Sequence, residues 1–172
     1  MASTNRESMA RPDFMSEEQF EWVKDATSSI DRIRNDARAD VAAYLANPVG
    51  WAEGRGARSG MPTTLLTTLG RKSGEKRTTP VLYLHEGWRV IVIGSLAGYD
   101  QHPQWYLNLQ ANPKCWVQLD DVVMEATARE ATDAEREIHW PRVKALFPAY
   151  DYFQTTTTRK FGLVFLTPTG PA

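Results

Sequence analysis

TTLLTTLGRKSGEKRTTPVLYLHEGWRVIVI, residues 63 to 93, is the stretch on which the fold turns. Thr63 to Leu69 is rich in Thr and Leu, Thr78 to His85 is β-branched and aromatic, and Trp88 to Ile93 ends in a Val-Ile-Val-Ile run, so three strands are predicted. Glu86-Gly87 predicts a tight hairpin between the second and the third. Between the first and second lies Gly70-Arg71-Lys72-Ser73-Gly74-Glu75-Lys76-Arg77, four cations on a turn with two glycines. Glycine reaches positive φ without a Cβ clash, so backbone N–H groups can approach a ligand while arginine and lysine supply charge. The turn has the makings of an anion clamp for a phosphate-bearing small molecule; a solvated hairpin tip is the plainer reading of the same residues.

Strand signals continue downstream. Lys114 to Leu119 and Val122 to Thr127 form a second pair across Asp120-Asp121, and Gly162 to Leu166 supplies a last strand. Two helices interrupt the series. Pro103 to Ala111 begins with a proline and is closed by Asn112-Pro113, and Thr132 starts a helix through Ala145 with Asp133 and Glu135 in its first turn. Six short strands, mostly meandering with short helices between, predict a small antiparallel β-barrel, mainly β with flanking helices in an α+β arrangement.

Upstream, residues 1 to 15 are polar, aperiodic and contain Pro12, which predicts a flexible tail. Residues 16 to 47 read as an amphipathic helical region: Ser16 and Gln19 have the form of a capping box, and Phe20, Val23, Thr27, Ile30, Ile33, Ala37, Val41 and Tyr44 recur at steps of three or four. Asn35 or Asp36 could start a second helix, and Asn47-Pro48 stops it, because a residue before proline disfavours the α region. The polar face mixes Asp and Arg, which fits a helix packed on the main domain better than one lying on a membrane. Gly50 to Met61, with Trp51, Arg55 and Arg58, reads as a loop leading into the barrel domain of residues 50 to 172.

The 172 residues suit one domain with its own core. A net charge of −1 with 24% charged residues excludes a surface that grips nucleic acid as a whole. The single cysteine, Cys115, forms no internal disulfide, and the absence of an apolar leader or span predicts a soluble, cytoplasmic protein, monomeric or homodimeric, with peripheral membrane contact left open. Six tryptophans could wall a cavity for a planar ligand, although core packing explains them equally well.

Several chemistries are set aside by spacing. His85, His102, His139 and Cys115 contain no pair at metal-ligand spacing, so no metal is expected. A dinucleotide fingerprint and a P-loop are missing, and no Gly-x-Ser-x-Gly elbow occurs. Ser73-Gly74-Glu75-Lys76 matches Ser-x-x-Lys, but on a glycine turn instead of the helix start that motif needs. What remains is Gly94-Ser95-Leu96-Ala97-Gly98 followed by His102-Pro103-Gln104-Trp105-Tyr106-Leu107-Asn108. Small residues after a buried strand admit a flat ligand, and Trp105, Asn108 and Leu109 share a helix face that offers a stacking ring and an amide.

Taken in order, Leu65 to Gly74, Arg77, Pro80, Gly94-Ser95, Gly98, His102-Pro103, Trp105-Tyr106, Asn108 and Asn112-Pro113 resemble the deazaflavin-dependent nitroreductase family of actinobacteria over about residues 50 to 168. The resemblance implies a split β-barrel of the flavin and deazaflavin (FMN-binding-like) oxidoreductases. It also implies coenzyme F420, a 5-deazaflavin with a phosphate and an oligoglutamate tail, as cofactor. It assigns Arg71, Lys72 and Arg77 to the phosphate and tail, Pro80 and Ser95 to the path toward the ring, and Trp105 with Asn108 to its border. Family aromatics that close over the substrate after the last helix correspond here to Phe147, Tyr150 and Phe153, leaving Tyr150 as the candidate catalytic proton donor. Leu96 stands where a lysine often follows the serine. The implied reaction is hydride transfer from reduced F420 to a planar, electron-poor acceptor: a quinone, enone or nitroaromatic. An FMN-dependent enzyme on the same barrel and a non-catalytic deazaflavin carrier are the rival readings.

Overall fold

In the third predicted strand, neighbouring side chains are buried on opposite faces, and that doubles the barrel's core. Val90 and Val92 point into the barrel interior with Leu66, Tyr83, Val117, Val164 and Leu166, while Ile91 and Ile93 point outward to Phe161, Leu163 and Phe165 under the helices. The computed structural model describes residues 10–57 and 59–172; residues 1–9 of the expected tail, and Arg58, lie outside the described residues.

Six strands close into a barrel: β1 (Thr63–Leu69), β2 (Lys76–Glu86), β3 (Arg89–Gly94), β4 (Lys114–Leu119), β5 (Val122–Glu130) and β6 (Gly162–Pro171). Every pairing is antiparallel, in the order β1-β2-β3-β6-β5-β4, with β1 against β4 completing the ring. This is less of a meander than expected, because the last strand is inserted between β3 and β5. Strands also run longer than local propensity indicates. β2 starts at Lys76, β5 continues to Glu130 and β6 to Pro171, since the added residues find ladder partners on their neighbours, Thr169 excepted, where the β5–β6 register shifts by one. The β2–β3 hairpin turns on Gly87-Trp88, with Glu86 opposite Arg89.

The helices are α1 (Glu17–Ala26), α2 (Ile30–Ala46), α3 (Gln104–Ala111), α4 (Asp133–Leu146) and α5 (Ala149–Thr155). Ser16 with Gln19, and Thr132 with Glu135, form reciprocal capping boxes at α1 and α4. The second N-terminal helix starts at Ile30 under a Ser29 cap, not at Asn35 or Asp36. A fifth helix, which the sequence did not predict, follows Pro148. α3 sends Trp105, Tyr106 and Leu109 into the barrel core, and α1 packs Phe20 and Val23 on the outer cluster. The C-terminal half of α2 is pinned by Tyr44, which is fully buried, packs its ring against Trp51 at a tilt of 37° and 4.9 Å, and donates its hydroxyl to Gln118 O at 2.9 Å. Among the described residues no helix is long and apolar enough to cross a membrane.

Candidate active site

A cavity of about 640 Å3 lies where the β1–β2 turn, the β3–α3 connection, α3, α5 and the N-terminal half of α2 meet. All ten residues singled out from the sequence line it: Arg71, Lys72 and Arg77 at one end, Pro80, Ser95, Trp105 and Asn108 between, and Phe147, Tyr150 and Phe153 at the other.

The basic end is a tighter turn than the sequence indicates. Lys76 and Arg77 are strand residues, opposite Leu69 and Thr68, so the turn proper is Gly70 to Glu75, closed by Gly70 N–H to Glu75 O at 2.8 Å and Gly74 N–H to Gly70 O at 2.7 Å. Being on the strand turns Lys76 away from the cavity to lie 3.8 Å over the Trp116 ring. Arg77 is partnered by Glu75 at 2.5 Å. Arg71 donates only to a neutral group, Gln104 Oε1, at 2.8 Å, and among the described residues neither Arg71 nor Lys72 meets a carboxylate. Two cations therefore face the cavity mouth with their charge not neutralised by any described acid.

Asn108 lines the cavity with its amide bonded on both sides. Its Oδ1 accepts the backbone N–H of Arg71 at 3.1 Å at the edge of the core, and its Nδ2 donates to the buried Thr68 Oγ1 at 3.0 Å. The buried amide thus fastens α3 to the turn that carries the cations. Beside it, Trp105 is 9% exposed and meets Tyr106 edge-on at 6.1 Å. Tyr106 donates to Glu130 Oε2 at 2.8 Å, and burial together with that bond pushes its pKa up to about 12. His102 stacks on Tyr106 at 4.7 Å, and burial followed by the nearby Arg159 charge pulls its pKa below the ordinary value, which favours the neutral imidazole.

At the aromatic end Tyr150 and Phe153 lie on α5 instead of on a connection after the last helix, and Phe147 caps α4 just before it. Phe147 meets Tyr150 edge-on at 5.4 Å. Tyr150 is 4% exposed, its hydroxyl makes no hydrogen bond to a described residue, and burial raises its pKa above the ordinary value of 10. A neutral phenol whose O–H has no acceptor among the described residues is available to a ligand in the cavity. Cys115 is fully buried with its thiol pushed up to about 12 by desolvation, which makes it an inert core residue.

Sequence reading missed the fourth wall. Ile30, Ile33, Arg34 and Ala37 of α2 face the cavity across Pro80 and Leu82. Their helical spacing was visible; which surface they would meet was not. Leu96, Ala97 and Gln104 also line the cavity, and Arg159 supports it from outside through the connection to β6.

The family model described as F420H(2)-dependent quinone reductase matches residues 36–168. The Mycobacterium tuberculosis protein Rv3178, whose name places it among F420H(2)-dependent quinone reductases, is 36% identical over 115 residues, spanning 67% of this chain and 97% of that one. The F420H(2)-dependent quinone reductase Rv1261c of the same organism is 30% identical over 109 residues, 62% of this chain and 73% of its own. Among solved structures, the F420-H2 dependent reductase FDR-A is 38% identical with a TM-score of 0.57, over 61% of this chain and 93% of that one. A chain described as a domain-swapped dimer is 33% identical with the same TM-score of 0.57, over 69% and 98%. With more than half its length matched, this chain belongs to the F420H(2)-dependent quinone reductase family.

Proposed function

We propose that the protein is an oxidoreductase that carries a hydride from reduced coenzyme F420 to a planar, electron-poor acceptor, a quinone before an enone or a nitroaromatic. The observation that supports this most is the pairing, in one cavity, of two cations at the mouth with a tyrosine hydroxyl at the far end, the cations meeting no carboxylate and the hydroxyl no hydrogen-bond partner among the described residues. The bound deazaflavin supplies a carbon hydride donor where a flavin has nitrogen.

The residues fit such a group. Arg71 and Lys72 would take its phosphate and tail carboxylates, which needs cations not already claimed by acids, and Arg77 would join them by exchanging Glu75 for the ligand. Asn108 keeps that turn in place through the Arg71 backbone. Pro80 and Ser95 flank the way inward, and Trp105 borders a flat ring. Phe147 and Phe153 add apolar surface that keeps water from the reacting atoms. Reducing a quinone to its hydroquinone takes one hydride and one proton. Tyr150 is placed to donate that proton, or a hydrogen bond, to the acceptor oxygen. Burial holds the phenol protonated well past neutrality, so this role persists on the alkaline side.

A fluorescence titration with oxidised F420, then turnover of the reduced form with quinone, enone and nitroaromatic acceptors, tests the reading. Saturable binding and fastest turnover with a quinone are expected. Tighter binding of FMN would point to the flavin rival, which family membership does not favour, and binding without turnover of any acceptor would make the protein a carrier. The domain-swapped relative supports a homodimer in solution; a single-chain mass by light scattering would overturn that part.

A further inference from the structure

Between β3 and α3 the backbone bends in a way that its residues alone do not favour. Leu96, Ala97 and Gly98 follow one another with φ of +43°, +49° and +77°. A Cβ disfavours this left-handed region, and consecutive residues hold it only where the surroundings over-determine it. Glycine eases the third position alone, and space there is closed as well: a Cβ on Gly98 would lie 2.1 Å from Thr156 Oγ1 and 2.4 Å from Phe153 O. Ser95, Leu96 and Ala97 are cavity wall, so whatever holds the bend shapes the cavity.

What holds it is Arg159, in the connection from α5 to β6. Its Nη2 donates to Ser95 O at 2.6 Å and Tyr99 O at 2.9 Å, its Nη1 to Gly94 O at 2.9 Å, and its Nε to Tyr99 O at 3.1 Å. The guanidinium also lies 5.0 Å from the centre of the Phe161 ring, and Nη1 comes to 3.5 Å of His102 Nδ1. Among the described residues no carboxylate forms an ion pair with it. A planar fork with donors on three nitrogens suits three carbonyls spread over one bend; an ammonium does not reproduce it. The same connection grips the bend twice more, through Thr156 Oγ1 to Gly98 O at 3.0 Å and Thr157 Oγ1 to Asp100 Oδ1 at 2.7 Å. Tyr150 and Phe153 sit just upstream of it on α5.

We infer that Arg159 is a positioning residue for the reaction: it fixes the Ser95–Ala97 wall at a set distance from the aromatic residues of α5, and thereby the spacing of donor and acceptor. Arg159 does not line the cavity, so it acts through the bend. The inference rests on the proposed hydride transfer, whose rate falls steeply when the reacting atoms are misplaced by even about 1 Å.

Arg159→Lys and Arg159→Met test it, with circular dichroism to confirm folding. The basic turn is untouched, so the dissociation constant of oxidised F420 should change by less than about threefold, while kcat with a quinone falls about tenfold or more in the lysine variant and further in the methionine variant. Amides of residues 95–99 should exchange with solvent faster than in the parent. Adding Ala97→Gly to Arg159→Lys should recover part of the rate, because glycine reaches +49° without the Cβ penalty that the bend otherwise has to offset. A lysine variant with kcat within about twofold of the parent overturns the inference, as does a loss confined to coenzyme affinity. A double variant as slow as the single one overturns the link between bend and rate. If the parent itself neither binds F420 nor turns over, the functional reading fails, and amide exchange at 95–99 still decides: faster exchange in Arg159→Lys upholds the bracing role and unchanged exchange removes it. Should Arg159→Met not fold, the lysine variant carries the test alone.

Discussion

At its mouth the cavity is bordered by exposed side chains that one short stretch of sequence delivers together, Arg71 and Lys72 on a six-residue turn between paired strands. At its far end it is bordered by the buried Tyr150 and Phe153, facing a bend from between β3 and α3 that is held by Arg159 from a third place in the chain. The mouth needs charge and little rigidity, because Coulombic attraction to a polyanion tolerates flexible side chains. The far end needs distances, and distances between remote segments come only from packing and hydrogen bonds. Altering the mouth should therefore change affinity with little change in rate or stability, and altering the far end should do the reverse.

The largest break in that contrast is expected from Tyr150→Phe. Loss of a general acid typically costs about 10²-fold or more in rate. Stability should hardly change, since the hydroxyl bonds to no described residue, and coenzyme affinity should stay within about threefold because the cations are intact. Stopped-flow quinone reduction separates these quantities. In the parent, burial raises the Tyr150 pKa above 10, so the folded state keeps its proton where an unfolded tyrosine loses it. This group therefore adds no pH dependence to stability below about pH 10, and stability falls as the pH rises from there toward the folded value. A kcat that already declines between neutrality and pH 9 would assign the proton to another group.

Asn108→Ala should show the next largest effect, and it tests how far the two ends are independent. The substitution strips a buried acceptor from the Arg71 N–H and a buried donor from Thr68 Oγ1, so destabilisation of about 1–3 kcal/mol is expected in urea unfolding. Coenzyme affinity should fall as well, because the turn is no longer tied to α3. Unchanged stability would mean that water replaces the amide, and that the mouth holds its shape alone.

The same contrast explains what could be read in advance. Residues 63 to 93 carry strand propensity and turn signals locally, so three strands and the cationic turn are legible there; what escapes is the continuation of β2 to Lys76 and the one-residue shift of the hairpin turn from Glu86-Gly87 to Gly87-Trp88, because ladder partners decide both. α2 was misplaced at its start because the apolar spacing Phe20, Val23, Thr27, Ile30, Ile33 runs through the break, and Ser28 and Ser29 give no sign by themselves of which one caps. α5 has seven residues, too few for a periodic signal and too few to be stable apart from the surface it covers. The insertion of β6 between β3 and β5 is a choice among non-local pairings that no single strand encodes. Arg159 looks like any arginine in a Thr-rich connection until the Gly94–Tyr99 carbonyls are placed around it.

Arg71→Ala acts at the mouth alone. Its backbone N–H still meets Asn108, and the side chain gives up only Gln104, so stability should stay within about 0.5 kcal/mol of the parent. Coenzyme affinity should fall about tenfold, and the dependence of that affinity on salt should become shallower with one charge fewer. Fluorescence titration at two ionic strengths reads both. A rate loss at saturating coenzyme would show that the turn also orients the ring, and the division between the two ends would have to be redrawn.

Glu75→Gln is expected to have the smallest effect, and in the opposite direction. Glu75 and Arg77 pair at 2.5 Å with both side chains largely exposed, an arrangement that contributes little to folding in solvent. In the complex the pair competes with the ligand, since Arg77 must leave one carboxylate to meet another. Removing the acid's charge should tighten F420 binding two- to threefold, about 0.5 kcal/mol, with kcat and stability unchanged. Weaker binding would mean that the carboxylate holds Arg77 in the orientation the ligand needs, and that rigidity matters at the mouth as it does beside Tyr150.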